Sequence, residues 1–332
     1  MIEVRQLAKD YPVATGLRSM FSTARATIAR AVDDVSFTIE PGGVLGLVGE
    51  SGCGKSTTGR LLVGLEAPTK GDIRFNGVDA AKLRAADRKA FHRRVQMIFQ
   101  DPYGSLNPQH EIGEIVARPL IYQGERGRTA IERKVRAALA EVGLDPPDAY
   151  LGKHPPHLSG GQRQRVCIAR AIILEPDFVV ADEPVSMLDV SIKWGVIRLL
   201  KRLTRERGIS MLYITHDLAT VGAICDRLAI MYLGRIVESG PVDEVIARPR
   251  HPYTQALVAS IPSSDPDVAR APPAIRGGLP NASTRIGGCN FRPRCPIAIG
   301  ICAATPPPLT CDGARSVACF RAESSARQPT VA

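Results

Sequence analysis

The chain contains 332 residues, of which 44% are hydrophobic, and its 43 basic and 33 acidic side chains give a net charge of +10. This length is enough for one large domain with subdomains, or for two domains, with a substantial core. No apolar run reaches the roughly 18 residues that argue for a membrane-spanning helix. The first residues show no signal-peptide pattern, and we therefore do not expect the eight cysteines to form disulfides.

The positive charge is scattered along the chain, and no motif of a DNA- or RNA-binding module accompanies it. A generally solvated basic surface is the simplest interpretation, and a surface beside anionic lipid explains the charge as well. The charge alone therefore gives no reason to expect nucleic acid as a partner.

The first distinctive stretch lies between Tyr11 and Ala31, where arginines such as Arg18 and Arg25 are interleaved with apolar residues. This pattern fits an amphipathic helix, and it fits a mobile loop equally well. The sequence does not decide between the two.

The segment Gly49–Ser56, with the sequence GESGCGKS, matches the phosphate-loop pattern G-x-x-x-x-G-K-[ST]. It follows the apolar run Val44–Val48, a predicted buried parallel strand, and precedes a predicted helix over Ser56–Leu65. Glycines let successive backbone N–H groups turn inward around an anion, and the helix N-terminus adds partial positive charge. We expect Lys55 to reach the β- and γ-phosphates and the Ser56 hydroxyl to bind Mg²⁺. The predicted nucleotide-binding residues of this loop are Gly49, Glu50, Ser51, Gly52, Cys53, Gly54, Lys55, Ser56 and Thr57.

A second apolar strand is predicted over Phe178–Ala181, and it ends in the two carboxylates Asp182 and Glu183. Strand ends in parallel sheets face the ligand crevice. Asp182 is placed to hold Mg²⁺, and Glu183 is placed to orient and deprotonate an attacking water. The alternative is a pair of solvated carboxylates, which the nearby phosphate loop disfavours.

Two further predicted strands end in polar residues. Val95–Phe99 precedes Gln100, which could touch Mg²⁺ or the attacking water. Met211–Ile214 precedes Thr215 and His216, and His216 could contact the γ-phosphate or simply cap the next helix.

Residues 101–157 are rich in helix signals and end at Pro155-Pro156. Further along, Leu228–Tyr232 and Arg235–Ser239 flank the dipeptide Leu233-Gly234, which predicts a β-hairpin.

After residue 250 prolines become frequent, and cysteines occur at positions 289, 295, 302 and 319, with Cys311 as a fifth. The spacing differs from the C-x2-C pattern of zinc ribbons. Four thiolates could hold an iron–sulfur cluster or a tetrahedral zinc ion, or the side chains could be reduced, buried cysteines. The spacing does not choose among these.

The motifs together resemble the ATP-binding cassette (ABC) ATPases in order and spacing. They are the phosphate loop, Gln100, the sequence LSGGQ at 158–162, Asp182-Glu183, Asp189 and His216. The resemblance implies an α/β fold with a P-loop NTPase (RecA-like) core, an N-terminal antiparallel β subdomain and a helical subdomain at about 101–165. It implies an ABC ATPase domain over 1–250, with ATP and Mg²⁺ as cofactors.

The same resemblance assigns individual roles. Tyr11 resembles the aromatic residue that stacks on adenine, and LSGGQ resembles the signature that covers the γ-phosphate of a partner subunit in a head-to-tail pair. Two glycines and a serine hydroxyl at a helix N-terminus suit anion binding. The implied catalytic residues are Lys55, Gln100, Glu183 and His216; the further nucleotide contacts are Tyr11, Ser159, Gly160, Gly161, Gln162 and Asp189; the Mg²⁺ ligands are Ser56, Gln100 and Asp182.

The segments HPYTQALVASIP from His251 and CNFRPRCP from Cys289 resemble the C-terminal extension of oligopeptide and dipeptide importer ATPases. Two other segments, RLLVGLEAPTKGDIRFNG and DPYGSLNP, are similar to the second ATPase subunit of those systems. We expect the small cysteine-containing extension at 251–322 and a disordered tail at 323–332. Because some relatives carry a 4Fe–4S cluster there, the implied ligands are Cys289, Cys295, Cys302 and Cys319.

The resemblance implies an ATPase that energises peptide import from the cytoplasmic face of the inner membrane, as a peripheral subunit. Its implied partners are a second ATPase subunit in a heterodimer, two permeases and an extracytoplasmic binding protein, and no nucleic acid. Import of nickel or glutathione is the first alternative, and a soluble ABC ATPase acting on nucleic acid or ribosomes is the second. A nucleotide sensor without turnover is disfavoured by the intact Glu183 and His216.

Three departures from the family pattern occur. His157 stands where relatives usually carry Glu, Met187 where they usually carry Ala, and IRGGLPNA where the extension is usually closer to GE-x-PSP. The first two could alter the dimer contact, and neither of them removes a catalytic group.

Overall fold

The computed structural model describes residues 1–13, 27–261, 275, 278 and 286–322. The tail predicted at 323–332 lies outside these residues. The two ends of the stretch between Tyr11 and Ala31 form paired strands, whereas Arg18 and Arg25 in its interior lie outside the described residues.

Strands and helices alternate through most of the described chain. The strands are β1 Ile2–Val13, β2 Thr27–Ile39, β3 Val44–Val48, β4 Lys70–Phe75, β5 Val78–Asp79, β6 Val95–Ile98, β7 Phe178–Asp182, β8 Ser210–Thr215, β9 Arg227–Tyr232, β10 Arg235–Pro241, β11 Thr310–Asp312 and β12 Arg315–Val317. The helices are α1 Lys55–Leu62, α2 Ala80–Ala86, α3 Arg88–Arg94, α4 Pro102–Ser105, α5 Ile112–Tyr122, α6 Arg128–Glu141, α7 Asp148–Leu151, α8 Gly160–Ile172, α9 Val190–Arg207, α10 Leu218–Ile224, α11 Val242–Ala247, α12 Pro252–Ala259 and α13 Ile301–Ala304. Short 3-10 turns cover Pro155–His157 and Arg292–Arg294.

The core is an eight-stranded sheet in the order β11-β12-β10-β9-β3-β8-β7-β6. The five strands from β9 to β6 in that order are mutually parallel, and the strands beyond β9 are antiparallel to their neighbours. Strands β3, β7 and β8 are buried along their whole length, which is why they appear in the sequence as continuous apolar runs. The predicted strands and the predicted hairpin are confirmed.

A four-stranded antiparallel sheet in the order β2-β1-β4-β5 forms the predicted N-terminal β subdomain. Its apolar face includes Ile2, Val4 and Leu7, which pack with Leu47 and Leu62 in one hydrophobic cluster. This sheet therefore lies against the phosphate-loop region of the core.

The helix after the phosphate loop is shorter than the sequence indicates. The predicted span Ser56–Leu65 ends at Leu62 in the structure, and the chain turns at Gly64, whose φ is +72°. Leu61 and Leu62 are buried, whereas Leu65, which lies beyond the end of the helix, is 55% exposed. A glycine in the left-handed region stops a helix at little steric cost.

Helices α4 to α7 occupy the region predicted as a helical subdomain, and α8 leads from it back to the core sheet. Ile112, Val116 and Leu120 of α5 are buried, and they belong to the same apolar cluster as Leu139 of α6 and Val166 of α8. No helix among the described residues is long and apolar enough to cross a membrane.

The C-terminal extension is continuous with the core sheet because β12 pairs with β10. The fully buried carboxylate of Glu238 in β10 accepts the backbone N–H groups of Arg250 and His251 at 3.0 and 2.9 Å. It also pairs with the buried Arg315 of β12 at 2.6 Å, and Arg315 donates in turn to the Arg248 carbonyl at 2.7 Å. One buried ion pair thus ties the extension to the ATPase core.

The variant Glu238→Ala leaves the Arg315 charge buried and uncompensated, and loss of one partner of a buried pair costs about 3–5 kcal/mol. We expect the free energy of unfolding to fall by about that amount in denaturant titrations. The control Arg94→Ala breaks an ion pair whose side chains are 51% and 60% exposed, and it should cost less than about 1 kcal/mol. Equal losses in the two variants would contradict a structural role for the buried pair.

Candidate nucleotide site

The phosphate loop joins β3 to α1, and its glycines answer specific steric demands. A Cβ at Gly49 would overlap the carbonyl oxygen of Met231, and a Cβ at Gly54 would overlap that of Ala31. Gly52 has φ +79° and meets open space, so its backbone faces a cradle that a side chain could fill. The loop therefore has the shape that the phosphate-binding motif requires.

Lys55 and Ser56 stand at the first turn of α1. Lys55 is buried, with only 4% of the residue exposed, and its ammonium group donates to the carbonyls of Gly49 and Glu50 at 2.8 and 2.9 Å. Ser56 Oγ donates to Asp182 Oδ1 at 3.0 Å across the strand-end crevice. The predicted phosphate contact and two of the three predicted Mg²⁺ ligands, Ser56 and Asp182, are thus adjacent.

Cys53 belongs to the loop, but its side chain is buried. It is 3% exposed and lies 3.9 Å from the Lys55 ammonium, measured at Sγ. Burial raises the pKa of this thiol. The residue therefore contributes its backbone to the loop, while the thiol stays protonated and shielded from solvent.

Asp182 ends β7 inside the protein. Burial is the main cause that raises the pKa of this carboxyl, and the neighbouring Glu183 charge adds to it, while the hydrogen bond from Ser56 works in the opposite direction. A buried carboxylate that keeps a single hydroxyl partner is a ready ligand for a divalent cation, because the cation would offset the cost of burial.

Two of the other three predicted catalytic side chains, Gln100 and His216, contact the Glu183 carboxylate. Gln100 Nε2 donates to Glu183 Oε2 at 3.0 Å, and His216 Nδ1 lies 3.1 Å from the same oxygen. The Glu183 backbone has φ +45°, and its N–H donates to the Ile214 carbonyl of β8 at 2.9 Å. Gln100 and His216, each from the end of another strand, thus converge on the Glu183 carboxylate beside Asp182.

Tyr11 lies near the end of β1, beside the start of α1. Its hydroxyl hydrogen-bonds Glu66 and interacts with Thr57, and burial together with Glu66 raises its pKa. The ring lines a cleft of about 490 Å³, which Gly52 of the phosphate loop also lines. Tyr11 and the phosphate loop therefore line the same cleft.

The signature residues lie at the start of α8. Ser159 is the N-cap: its Oγ accepts the Gln162 N–H at 3.3 Å, and Gln162 Oε1 accepts the Ser159 N–H at 2.9 Å. Ser159 is exposed, whereas Gly161 is buried against Ile192. A Cβ at position 161 would overlap that side chain. Asp189 is the N-cap of α9, and Met187, two residues earlier in the chain, is 52% exposed.

Four cysteines of the extension line one small cavity of about 20 Å³; they are Cys289, Cys295, Cys302 and Cys319. The Cys289 N–H donates to the Cys302 carbonyl at 2.8 Å. Burial, followed by the neighbouring cysteines, raises the pKa of Cys319 to about 11. Cys311 lies apart from them, exposed and 3.3 Å from the Ser316 hydroxyl. No group of three or more His, Cys, Asp or Glu side chains in the described residues is arranged to hold a metal ion.

Three residues of the extension reach the nucleotide region and were not predicted to do so. The Tyr253 hydroxyl accepts the Glu50 N–H at 3.0 Å, and the Arg294 guanidinium pairs with the Glu50 carboxylate. Asn290 lines the cleft that contains Tyr11 and donates to the Leu233 carbonyl at 3.3 Å. All three lie in the segments that suggested an importer-type extension, but no local pattern indicates that they face the phosphate loop.

Comparisons with known proteins agree with this geometry. A model of the ABC transporter family matches residues 32–186, and a model of the oligopeptide/dipeptide transporter C-terminal region matches residues 237–302. A putative peptide import ATP-binding protein of Brucella ovis is 49% identical over 309 residues, which cover 93% of each chain. This chain belongs to the oligopeptide/dipeptide transporter family of ABC ATP-binding subunits. The resemblance noted in the sequence is confirmed, and the chain is an ABC ATPase that uses ATP and Mg²⁺.

Other members of the family are nearly as similar to this ABC ATPase. The dipeptide transport ATP-binding protein DppF of Escherichia coli is 42% identical over 320 residues, with 96% of this chain and 94% of DppF covered. The oligopeptide transport ATP-binding protein OppF of Salmonella typhimurium is 42% identical over 326 residues, with 97% and 96% covered. Among solved structures, the dimeric ATP-binding cassette MJ0796 in a post-hydrolysis state with ADP and Pi is similar at a TM-score of 0.63 and 26% identity. That similarity covers 73% of this chain and 99% of the other.

The raised pKa of Asp182 predicts that Asp182→Asn stabilises the nucleotide-free protein at neutral pH, because the amide avoids burying a charge. Above the folded-state pKa wild type carries the full penalty. The advantage of the variant shrinks as the pH falls through that raised pKa, and it disappears below the ordinary value, where wild type is neutral in both states. Thermal unfolding at several pH values checks this. The exposed Asp177→Asn is the control, and it should show no such gain.

Proposed function

We propose that this ABC ATPase holds Mg·ATP between the phosphate loop, the strand-end crevice and Tyr11, and that Glu183 activates the attacking water. The observation that carries the proposal is the convergence of Gln100 and His216 on the Glu183 carboxylate, next to the Ser56–Asp182 pair. A carboxylate with two polar partners and a neighbouring cation site is the arrangement that general-base hydrolysis needs.

The other roles follow from position. Lys55 neutralises charge on the β- and γ-phosphates once they replace its carbonyl partners, and Ser56 and Asp182 hold the magnesium ion. Gln100 links the ion or the attacking water to Glu183, and His216 contacts the γ-phosphate. The backbone N–H groups of the phosphate loop would stabilise the charge that develops during phosphoryl transfer, and a magnesium ion held by Ser56 and Asp182 would supply further positive charge there.

The signature serves a second subunit in this proposal. Its capped helix N-terminus offers backbone N–H groups and a serine hydroxyl at an exposed position, which suits the γ-phosphate of a partner. The exposed Met187 and the helix cap at Asp189 lie beside it, and we place both in the same interface. A related but distinct ATPase subunit is the proposed partner, so that the working unit is a heterodimer. ATP then acts as the ligand that favours the closed pair.

We further propose that the cargo is a peptide, as in the relatives named for peptide import, dipeptide transport and oligopeptide transport. The partners are then two membrane permeases and an extracytoplasmic binding protein, with this subunit at the cytoplasmic face of the membrane. A cleft of about 680 Å³ supports permease docking, because it is lined by Leu65 and Phe99, both largely apolar and exposed, together with Gln100. Gln100 would report the nucleotide state to that cleft. Import of nickel or glutathione is the alternative cargo.

We divide the chain into an ABC ATPase domain at 1–250, with its helical subdomain at about 101–165, and an extension at 251–322. The ABC transporter family match at 32–186 lies within the first part, whereas the match to the C-terminal region, at 237–302, begins before residue 251 and spans the proposed boundary. Because β12 pairs with β10, the two parts share a sheet. The division therefore separates two sequence families and not two separate sheets.

Glu183→Gln removes the proposed base and keeps the shape of the side chain. We expect ATP turnover to fall by about 10²–10⁴-fold while the dissociation constant for Mg·ATP stays unchanged. Steady-state hydrolysis and nucleotide titration measure the two quantities. Glu206→Gln on the exposed end of α9 is the control and should behave as wild type. Loss of binding in Glu183→Gln would assign this residue a structural role instead.

The same variant tests the pairing of subunits. With Mg·ATP it should hold the two ATPase subunits together, as measured by light scattering on the assembled transporter or on the co-purified ATPase pair. Adding Ser159→Arg should separate them while this chain keeps its own ATP binding, because the signature serves the partner's nucleotide. Pairing that survives Ser159→Arg would contradict this part of the proposal.

We propose that Cys289, Cys295, Cys302 and Cys319 hold a 4Fe–4S cluster. Four soft thiol donors that line one cavity fit such a cluster chemically, and their mutual proximity raises the cost of leaving all four as thiolates without a cation. The observed side-chain arrangement does not itself form a metal site, so binding would bring the thiols together. A tetrahedral zinc ion is the competing occupant.

Anaerobically purified protein should contain iron and sulfide in equal amounts. Its visible absorption spectrum should show the charge-transfer bands of an iron–sulfur cluster. Cys302→Ser should lose both signals. Cys311→Ser is the matched control, since Cys311 lies outside the cavity. Zinc in place of iron and sulfide would favour the competing occupant, and the absence of any metal would refute the proposed cluster.

A further inference from the structure

A short turn of the extension carries an arginine into the phosphate-loop region. The 3-10 turn Arg292–Arg294 lies between Cys289 and Cys295, and backbone hydrogen bonds close it at both ends. The Arg292 N–H donates to the Cys289 carbonyl at 3.0 Å, and the Cys295 N–H donates to the Arg292 carbonyl at 3.2 Å. Arg294 is buried, at 8% exposed. A fixed turn therefore sets the direction of this long side chain.

Arg294 makes a two-point contact with the loop. Its two terminal nitrogens, Nη1 and Nη2, donate to the two carboxylate oxygens of Glu50 at 2.8 and 3.0 Å. Tyr253, also in the extension, accepts the Glu50 backbone N–H at 3.0 Å. Both the main chain and the side chain of Glu50 are thus held by residues some 200 or more positions later in the sequence. Parallel double hydrogen bonds fix orientation as well as charge.

Tyr253 belongs to a packed cluster of three aromatic rings, and Arg294 lies close to this aromatic cluster in the chain. The Phe291 ring lies 5.2 Å from the Tyr232 ring and 5.5 Å from the Tyr253 ring, and Tyr232 and Tyr253 are 4.8 Å apart. All three rings are fully buried. Because the aromatic cluster is closely packed, the Arg294 guanidinium cannot follow the phosphate loop freely if the loop shifts.

Glu50 poses an electrostatic problem for an anion site. It sits directly after Gly49, at the start of the loop whose backbone turns toward the phosphates, and its own carbonyl accepts the Lys55 ammonium. An uncompensated carboxylate there would repel a triphosphate and would attract Lys55 or the magnesium ion away from it. The guanidinium of Arg294 offsets this charge and turns the carboxylate toward the extension.

We propose that Arg294 is a positioning residue for ATP: by neutralising and orienting Glu50, it allows the phosphate loop to accept the triphosphate. The inference rests on the proposed nucleotide site. It gives the extension a part in ATP binding through charge and geometry, without any contact of Arg294 with the nucleotide.

Arg294→Gln in the assembled transporter tests this. We expect the KM and the dissociation constant for Mg·ATP to rise by about 5- to 10-fold, while kcat at saturating ATP stays within about twofold. The rise should shrink at high salt, because screening weakens the repulsion. Arg294→Lys keeps the charge and should retain most of the affinity. Arg128→Gln, whose side chain is 92% exposed on α6, is the control and should match wild type.

The double variant Arg294→Gln with Glu50→Gln separates this role from a merely structural one. Removal of the carboxylate should restore the affinity for Mg·ATP to within about twofold of wild type, since no unpaired charge remains. Unchanged affinity in Arg294→Gln, or a loss that Glu50→Gln does not relieve, would overturn the inference. If wild type itself bound no Mg·ATP, or Lys55→Ala left binding intact, the proposed nucleotide site would fail instead.

Discussion

The parallel pairing of β3, β7 and β8 is the constraint on which the rest of the site depends. Val48 lies opposite Thr215, and Asp182 lies opposite Ile214, so the strand ends meet at one edge of the sheet. Hydrogen-bonded neighbours in a sheet are about 4.8 Å apart. Groups that are more than a hundred residues apart in sequence therefore come within hydrogen-bond range, as the Ser56–Asp182 contact shows. Any slip in this register would separate the phosphate loop from the carboxylates.

The same sheet explains why the extension can act on the site. β12 adds to β10, and the buried Glu238–Arg315 pair fixes that edge. The aromatic cluster that includes Tyr253 then contacts the phosphate loop, because the Tyr253 hydroxyl accepts the Glu50 N–H. The cysteine-bearing turn and the nucleotide region are consequently parts of one packed unit.

Much of this architecture was predictable from the sequence because buried parallel strands leave continuous apolar runs, and the phosphate loop has fixed glycine spacing. Residues at strand ends, such as Gln100 and Glu183, follow from the same runs. The end of α1 was missed because Leu65 fits the helical apolar pattern, whereas Gly64 turns the chain away. The Arg294–Glu50 pair spans 244 positions and leaves no local signal, since only the tertiary packing of the extension brings the two together.

The positive φ of Glu183 has a consequence for how the site is prepared. A non-glycine residue in that region costs about 1–3 kcal/mol, and here the bond from the Glu183 N–H to Ile214 holds it in place. The carboxylate is thereby aimed by the backbone before any nucleotide arrives. The chain therefore carries one strained backbone position, and in the proposed mechanism this position fixes the direction of the general base in every cycle.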